Sequence, residues 1–184
     1  MDLPSERIAR LRAFWRYVGD ERPPFAVVPQ PGQESVWDYP RPPRLEPDTR
    51  DLSVSLGATE IARTRRALRL LETASAPNFY LPRQDVRMEL LAPCDRVSVC
   101  EWKGEVRYWS VTVEGRRLEA AAWEYPRPLP GYEALRDHMA FYPRLLDCRV
   151  DGVHVQPQPG GFYGGWITPE VVGPFKGGRG SEDW

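Results

Sequence analysis

One short segment of the chain combines a thiol, an amine, a guanidinium and two indole rings. These groups, within positions 100–109, belong to Cys100, Lys103, Arg107, Trp102 and Trp109. A nearby cation stabilises the thiolate, which is the nucleophilic form of cysteine. The same cations can instead hold an anionic ligand while the aromatic rings enclose its apolar part. These residue types therefore indicate either covalent catalysis or ligand binding.

The relative positions of these side chains depend on the turn that joins two strands. A Lys-Gly pair at positions 103 and 104 predicts a two-residue β-hairpin turn. With that turn, Cys100 faces Arg107 on one side of the hairpin. The opposite side, which is predicted to be core, carries Val97, Val99, Val106 and Tyr108. A register shift of one residue would bury Cys100 among the valines.

The enzyme hypothesis assigns a role to each of these groups. Cys100 acts as the nucleophile, and Lys103 or Arg107 stabilises an anion. Glu72 transfers a proton or orients the site. No histidine lies nearby in the sequence, although a cation can also activate a thiol. The alternative for Cys100 is an unreactive cysteine in the core.

The binding hypothesis, which we favour, needs no activated thiol. Arg65 and Lys103 hold an anionic group of a small-molecule ligand. The rings that enclose its planar or apolar body are Tyr80, Trp102, Tyr108 and Trp123. Each ring can equally belong to the protein core, since aromatic side chains dominate cores. Arg65 can also pair with Glu72 simply to set the strand register.

Charge and composition exclude several classes of function. The 184 residues include 25 basic and 26 acidic side chains, so the net charge is -1. The chain therefore lacks the basic field that nucleic acid or an anionic membrane requires. The sequence contains neither a membrane-spanning apolar run nor the order of a signal peptide. We expect a cytoplasmic protein with neither nucleic acid nor a membrane as its partner.

Cysteine and histidine are too few and too far apart to predict a metal site. The three cysteines, Cys94, Cys100 and Cys148, have no CxxC spacing. The two histidines, His138 and His154, do not complete a ligand set. We predict reduced cysteines, no metal and no cofactor.

Hydrophobic spacing predicts one helix followed by strands. The helix is expected to begin at Ser5 and to end before Gly19. Its apolar residues at helical spacing are Ile8, Leu11, Trp15 and Val18. Alternation of apolar and polar residues predicts strands at 52–56, 67–72 and 97–101.

Further turn signals predict how the later strands are connected. A Glu-Gly pair at 114–115 makes residues 97–123 a three-stranded antiparallel meander. A hairpin is expected at 148–155. Short helices are expected at 85–91 and 132–138.

The glycine-rich C-terminal tail retains several aromatic residues, which a disordered segment rarely does. They are Phe162, Tyr163, Trp166, Phe175 and Trp184. We predict an ordered arm, although its stretch GPFKGGRG at 173–180 lacks the GxxxxGK[ST] order of a phosphate-binding loop. A third hypothesis uses this arm and the arginine-rich helix to dock a protein partner or a second subunit, giving a homodimer.

These elements predict a mainly β protein. We expect a single compact antiparallel β domain, barrel- or sandwich-like, with an N-terminal amphipathic helix and an extended C-terminal arm. The predicted boundaries are 1–35 for the helix and its proline-rich connection, 36–155 for the β domain, and 156–184 for the arm packed on it. Clusters of proline forbid long helices elsewhere.

Two runs of six residues are nearly identical, WDYPRP at 37–42 and WEYPRP at 123–128. They predict two equivalent strand ends, each with an aromatic pair held by a polyproline-like segment. The aromatic pairs either close the ends of the sheet or form a shared ligand rim.

Several motifs occur in one order along the chain. Besides the two repeats they include NFYLP at 78–82, CEWKG at 100–104 and AFY at 140–142. Over residues 37–152 this order resembles the domain of unknown function numbered 427, and the tail is similar to the extension of its longer bacterial members. The resemblance implies a compact, mostly β domain without an established activity. The residues that match its motif, and so could line its site, are Arg65, Glu72, Tyr80, Asp85, Cys100, Lys103, Tyr108 and Trp123.

A nucleotidyltransferase-like label is attached to this family. The paired metal-binding carboxylates that such chemistry needs are not recognisable here, so the label carries little weight. Where other members have a small aromatic turn before the lysine, this chain has Glu101 and Trp102, and the larger ring narrows any cavity.

Overall fold

The computed structural model describes residues 5–184, which form one α-helix and fifteen β-strands. The helix α1 spans Ser5–Arg12. The strands are β1 (Glu34–Ser35), β2 (Arg44–Asp48), β3 (Leu52–Leu56), β4 (Thr59–Thr64), β5 (Ala67–Leu71), β6 (Asn78–Pro82), β7 (Leu91–Cys100), β8 (Gly104–Val113), β9 (Arg116–Glu124), β10 (His138–Phe141), β11 (Asp147–Val150), β12 (Val153–His154), β13 (Gln156–Pro157), β14 (Trp166–Ile167) and β15 (Val171–Val172). The fold is mainly β, as predicted.

Two antiparallel sheets pack face to face in a sandwich-like arrangement, not a closed barrel. A seven-stranded sheet has the order β2-β5-β6-β10-β9-β8-β7, and a four-stranded sheet has the order β12-β11-β3-β4. Apolar residues from both sheets form the core between them; they include Leu52, Val54, Ile61, Phe79, Leu81, Val111 and Phe141. Because side chains alternate along a strand, Tyr80 of β6 lies on the opposite face from Phe79 and Leu81.

That opposite face of the seven-stranded sheet is also covered. Its buried residues belong to a second cluster, which includes Leu70, Tyr80, Val106, Tyr108, Trp123, Tyr125, Leu135, Ala140 and Tyr142. Trp15, from the segment after α1, packs against this cluster. The large sheet therefore buries side chains on both faces, which explains the continuous apolar run in β6.

The strand predictions are largely confirmed. β3 and β5 occupy the predicted positions, and β7, β8 and β9 form the expected meander. Glu114 and Gly115 join β8 to β9 with φ values of 50° and 78°, which suits a two-residue turn that follows the right-handed strand twist. The predicted closing hairpin is formed by β11 and β12.

The helix predictions are wrong in extent. α1 ends at Arg12, so Trp15 and Val18 lie outside it. Gly19 does not end the helix; its φ of +82° accompanies a close approach to Tyr39, whose carbonyl oxygen would lie 2.0 Å from an added Cβ. The chain leaves the helix because packing against the sheet outweighs local helical propensity.

The two short helices predicted at 85–91 and 132–138 are also absent as α-helices. The first segment contains only the 3₁₀ turns Arg83–Asp85 and Met88–Leu90. Val86 forms a β-bridge with Ala62, which draws the segment toward β4. The second segment contains the single 3₁₀ turn Glu133–Leu135.

The two terminal segments, residues 5–43 and 157–184, are held together. β1 pairs in parallel with β15, and the indole nitrogen of Trp37 donates to the carbonyl of Pro174 at 3.1 Å. Trp37 and Phe25 also contact the ring of Trp184. Both segments therefore lie on the same side of the domain. No helix within residues 5–184 has the length and apolar character needed to cross a bilayer.

Candidate functional site

A cavity of about 260 Å³ lies where the terminal segments meet the second face of the seven-stranded sheet. β6 to β9 supply most of its floor, and the terminal segments supply one wall. The lining residues that matter below are Trp15, Glu72, Tyr80, Ser98, Cys100, Glu101, Lys103, Tyr108, Trp123, Tyr125, Tyr142, Tyr163, Gly164 and Lys176. Its side chains divide into a charged end and an aromatic wall.

The charged end is built around one carboxylate, Glu72, immediately after β5. Lys176 donates to its Oε1 at 3.2 Å, and Lys103 Nζ lies 3.8 Å from its Oε2. Arg41 donates to Oε1 at 3.3 Å from the side of the N-terminal segment. All four residues are at most 9% exposed. Three buried cations thus surround one buried anion.

Aromatic rings from the terminal segments enclose these cations. Lys176 Nζ lies 4.2 Å from the ring centroid of Trp15 and 4.7 Å from that of Tyr163. The Arg41 guanidinium lies 4.6 Å from the same Trp15 ring. Trp15 is itself fixed by a hydrogen bond of 2.6 Å from its indole nitrogen to Glu101 Oε1. The cations are therefore held by ring faces as well as by Glu72.

The pKa values of the two lysines are shifted in opposite directions. Burial alone would raise the pKa of Glu72, but Lys176, Lys103 and Arg41 together lower it to about 2. Burial lowers the pKa of Lys176, and Glu72 offsets that shift only in part. Burial also lowers the pKa of Lys103. Its neighbours Cys100, Tyr80 and Glu72 have a larger effect in the opposite direction, so the pKa is raised overall.

Both lysines of the whole sequence are in this cluster. The chain has 25 basic residues, and all except Lys103 and Lys176 are arginine. Lysine differs from arginine in carrying a compact ammonium that can lose its proton in a buried site. The protein thus places its two titratable amines on the two oxygens of one carboxylate.

The hairpin that carries Cys100 and Lys103 differs from the predicted one. Cys100 pairs with Gly104, so residues 101–103 form a three-residue loop. The buried Lys103 ties this loop to the rest of the protein by accepting a backbone hydrogen bond from Leu129 at 3.0 Å. Gly104 is not a turn residue; its added Cβ would lie 3.2 Å from the carbonyl oxygen of Arg127.

The observed pairing of β7 with β8 changes which residues share a face of the hairpin. Ser98 pairs with Val106, and its hydroxyl lies 2.9 Å from that of Tyr108. Cys100 therefore shares a face with Val106 and Tyr108, which were predicted to lie on the other side of the hairpin. Val97 and Val99, predicted to be core, are 69% and 43% exposed. The shift by an odd number of residues exchanges the two faces of the strand.

Cys100 lies at the cavity without being activated. Burial raises the pKa of its thiol, and the neighbouring Lys103 offsets that shift only in part. Arg107, which was predicted to face it, pairs with Val97 and lies on the other side of the hairpin. The side chain is therefore a thiol at neutral pH.

The aromatic wall consists mainly of tyrosines. Tyr80 has ring centroid distances of 6.1 Å to Tyr125 and 6.3 Å to Trp123. Trp123 also contacts Tyr142 at 4.6 Å. Burial raises the pKa of Tyr80 to about 12, so its phenol is neutral at physiological pH. Gly164 lies against this wall, where an added Cβ would be 2.2 Å from Cη2 of Trp123.

The structure brings together six of the ten residues predicted for the site. They are Glu72, Tyr80, Cys100, Lys103, Tyr108 and Trp123. Trp102 is buried beside them but does not line the cavity; the Arg12 guanidinium lies 4.7 Å from its ring. Its larger ring therefore does not narrow the cavity from within.

The three other predicted residues lie elsewhere. Arg65 is exposed and lies 3.6 Å from Asp51, so it pairs with that residue and not with Glu72. Asp85 accepts hydrogen bonds from Thr64 and Arg66. The exposed Arg107 lies 3.6 Å from Glu124. Their side chains contribute to surface ion pairs and loop geometry.

Sequence reasoning missed Lys176, Arg41, Trp15, Tyr125 and Tyr163. The scarcity of lysine is the signal that could have found Lys176, whose glycine-rich segment lacks the order of a phosphate-binding loop. The repeats, predicted to be equivalent strand ends, differ in structure: the first begins in the 3₁₀ turn Val36–Asp38, and the second leaves β9. The first nevertheless supplies Arg41 to the site, and the second supplies Trp123 and Tyr125.

Comparison with known proteins identifies the domain. A family model described as a domain of unknown function, DUF427, matches residues 44–156, which is more than half of the chain. No curated protein matches the chain. The matched region contains Glu72, Cys100 and Lys103, whereas Arg41 and Lys176 come from the terminal segments outside it.

Proposed function

The chain belongs to the DUF427 family, and on that premise we propose that it binds a small organic anion in the cavity. Lys103 receives the anionic group, and the aromatic wall encloses a planar or apolar body. The observation that carries this proposal is the buried lysine pair on Glu72, at the end of a cavity lined by tyrosine and tryptophan.

The ammonium group of Lys103 has hydrogen-bond donors available for a ligand. An ammonium group carries three N–H donors. The 3.8 Å from Lys103 Nζ to Glu72 Oε2 is longer than a hydrogen bond. The Cys100 sulfur accepts a hydrogen bond from one of these donors, which leaves the others for a ligand. A buried charge that keeps unused donors is costly unless something accepts them. An anionic group entering the cavity supplies that acceptor.

The charge balance favours a ligand with a single negative charge. The charges that line the cavity cancel, with Lys103 and Lys176 against Glu72 and Glu101. Arg41 adds one positive charge at Glu72 from outside the lining. A carboxylate monoanion neutralises that excess. The cavity is below the range of about 300–1,000 Å³ that accommodates drug-sized ligands. A compact aromatic carboxylate therefore suits its volume, its charge and its walls.

Calorimetry with a matched pair of probes tests this function. We expect 3-phenylpropionate to bind and to raise the melting temperature, and 3-phenylpropan-1-ol, which lacks the charge, to bind much more weakly. Lys103→Met should abolish the preference for the anion. Arg107→Met, on the other face of the same hairpin, should retain it. Equal binding of both probes by the native protein would refute the anion site.

The cysteine enzyme hypothesis has less support. Cys100 lines the cavity beside Lys103, yet burial raises the pKa of its thiol. Arg107 cannot assist it from the opposite face. Binding of an anion therefore remains the better proposal. A cytoplasmic location stays part of it, since all three cysteines are free, and self-association into a homodimer stays a prediction for a mass measurement in solution.

A further inference from the structure

We propose that Lys176 is a catalytic amine that forms an imine with an aldehyde or ketone carrying an anionic group. The proposal rests on the function above, because the anionic group is the part of the ligand that Lys103 receives. The additional requirement is that the ligand has a carbonyl group whose carbon lies next to Lys176 Nζ. The substrate class is thus a small 2-oxo acid or a related carbonyl acid with an apolar body.

The two lysines share one carboxylate but have opposite environments. Lys103 Nζ lies near Cys100, Tyr80 and Glu72, and these neighbours raise its pKa. Lys176 Nζ is buried against the rings of Trp15 and Tyr163. Burial lowers its pKa, Glu72 offsets that shift in part, and the cations Arg41 and Lys103 lower it further. Two titratable groups whose pKa values are pushed apart mark a division of acid and base roles.

The use of lysine instead of arginine at position 176 supports the same division of acid and base roles. Everywhere else in the chain a basic position is filled by arginine, which does not lose its proton in proteins. A buried amine next to other cations is the environment that activates lysine as a nucleophile. Arg41, in the same cluster, shows that an arginine can be accommodated beside Glu72.

Glu72 is placed to carry the proton that the reaction moves. It accepts a hydrogen bond from Lys176 at 3.2 Å. Transfer of one proton to the carboxylate leaves a neutral amine and removes one of the charges that lower the pKa of Glu72, so the carboxylate accepts the proton more readily than the value of the resting ion pair indicates. The nitrogen lone pair then forms a bond to the carbonyl carbon as the C–O π bond breaks, and a proton passes from nitrogen to oxygen to give a carbinolamine.

Loss of water completes the step. Glu72 returns its proton to the carbinolamine hydroxyl, and the C–O bond breaks as the nitrogen lone pair forms the C=N bond. The products are an iminium ion and one water molecule, and Glu72 is again a carboxylate. The total charge is unchanged, and no oxidant or reductant is consumed. Lys103 remains an ammonium and holds the anionic group throughout.

Reductive trapping tests the proposal on the native protein. The probe is phenylpyruvate, with sodium cyanoborohydride to reduce any imine to a stable amine, followed by intact mass measurement and peptide mapping. The chain has two lysines, so peptide mapping separates an adduct on Lys176 from one on Lys103 and from one on the N-terminal α-amino group. Lys103, equally buried, is the internal reference. Phenylacetone, which has the same skeleton without the carboxylate, is the matched control compound.

We expect an adduct on Lys176 that exceeds the adduct on Lys103 by at least about tenfold at pH 7, the ratio produced by one unit of difference in pKa. An excess of 3-phenylpropionate should suppress it, and phenylacetone should give little. Lys176→Arg should remove it, although mapping of the native protein decides the question even where that variant does not fold.

Two other results overturn the proposal in distinguishable ways. Binding of 3-phenylpropionate without a preferential adduct on Lys176 would refute imine formation and leave the anion-binding function intact. Absence of both binding and the adduct would refute both.

Discussion

Lys176 and Glu72 are 104 positions apart in the chain, yet their side chains form a buried hydrogen bond of 3.2 Å. Lys103 approaches the other oxygen of the same carboxylate. The bond joins the C-terminal arm to the end of β5 across the cavity. It is also the contact on which the proposed chemistry of Lys176 and the first two predictions below depend.

Replacing Glu72 by glutamine should destabilise the protein by about 3–5 kcal/mol, because removal of one partner leaves buried charges uncompensated. Urea unfolding followed by tryptophan fluorescence measures this change. Glu89→Gln is the matched control: Glu89 pairs with Arg87 at the exposed surface, where an ion pair contributes at most about 1 kcal/mol. Equal losses for the two variants would contradict the structure.

Acid should destabilise the protein through Glu72. Its pKa falls from 4.5 to about 2 on folding, so the folded state favours the ionised form. The resulting stabilisation, roughly 3 kcal/mol, is fully present above pH 4.5 and is lost as the pH falls toward about 2. Unfolding free energies measured across this range should show the decline. Glu72→Gln should flatten it, and an unchanged slope in that variant would contradict this assignment.

The two lysines should titrate separately. Protein labelled with ¹³C-lysine should give two side-chain signals, one for each lysine of the sequence. Burial lowers the pKa of Lys176, so the midpoint of its titration should lie below the ordinary value of 10.5. The midpoint for Lys103 should lie above that value. Coincident titration of the two signals at the ordinary value would argue against the proposed division of roles.

Gly164→Ala should disturb the aromatic wall. The new methyl group would lie 2.2 Å from Cη2 of Trp123, so the ring must move. We expect a loss of about 1–3 kcal/mol in unfolding free energy and a change in near-ultraviolet circular dichroism. Gly178→Ala is the control on the same arm, because nothing lies within 4 Å of its added Cβ. That variant should unfold like the native protein.

The three cysteines should differ in their rates of alkylation. The half-buried Cys100 should react with an apparent pKa above its ordinary value of 9.0, because burial raises it. Cys148 is fully buried and should react only on unfolding. The half-buried Cys94 gives the reference rate, and peptide mapping separates all three. Rapid alkylation of Cys100 at pH 7 would revive the nucleophilic cysteine hypothesis.

Local pattern was sufficient to predict the strands but not their faces. Alternation in Leu52–Leu56 and the Glu-Gly turn at 114–115 depend on neighbours in sequence, and both predictions are confirmed. The register at Cys100 depends on Lys103, which is buried and bonded to Leu129. Such a long-range contact has no local signature, so the wrong two-residue turn exchanged the two sides of the hairpin.

The residues of the candidate site that sequence analysis names all lie within the matched domain, residues 44–156. Glu72, Cys100, Lys103 and the cavity tyrosine Tyr80 were all named from the sequence. Lys176 was not, because a single lysine in a glycine-rich segment carries no periodic pattern. Its position follows from pairing of β1 with β15 and from packing of Trp37 on Trp184, which only the folded chain reveals.

The parallel pairing of Glu34 with Val171 has a consequence for synthesis of the protein. A growing chain can complete the seven-stranded sheet as soon as β10 has left the ribosome, but Lys176 emerges later. Until then Glu72 lacks its closest cation, and the tyrosine face is open on one side. A nascent chain therefore passes through a stage in which the sheet is complete and its cavity is still unfinished.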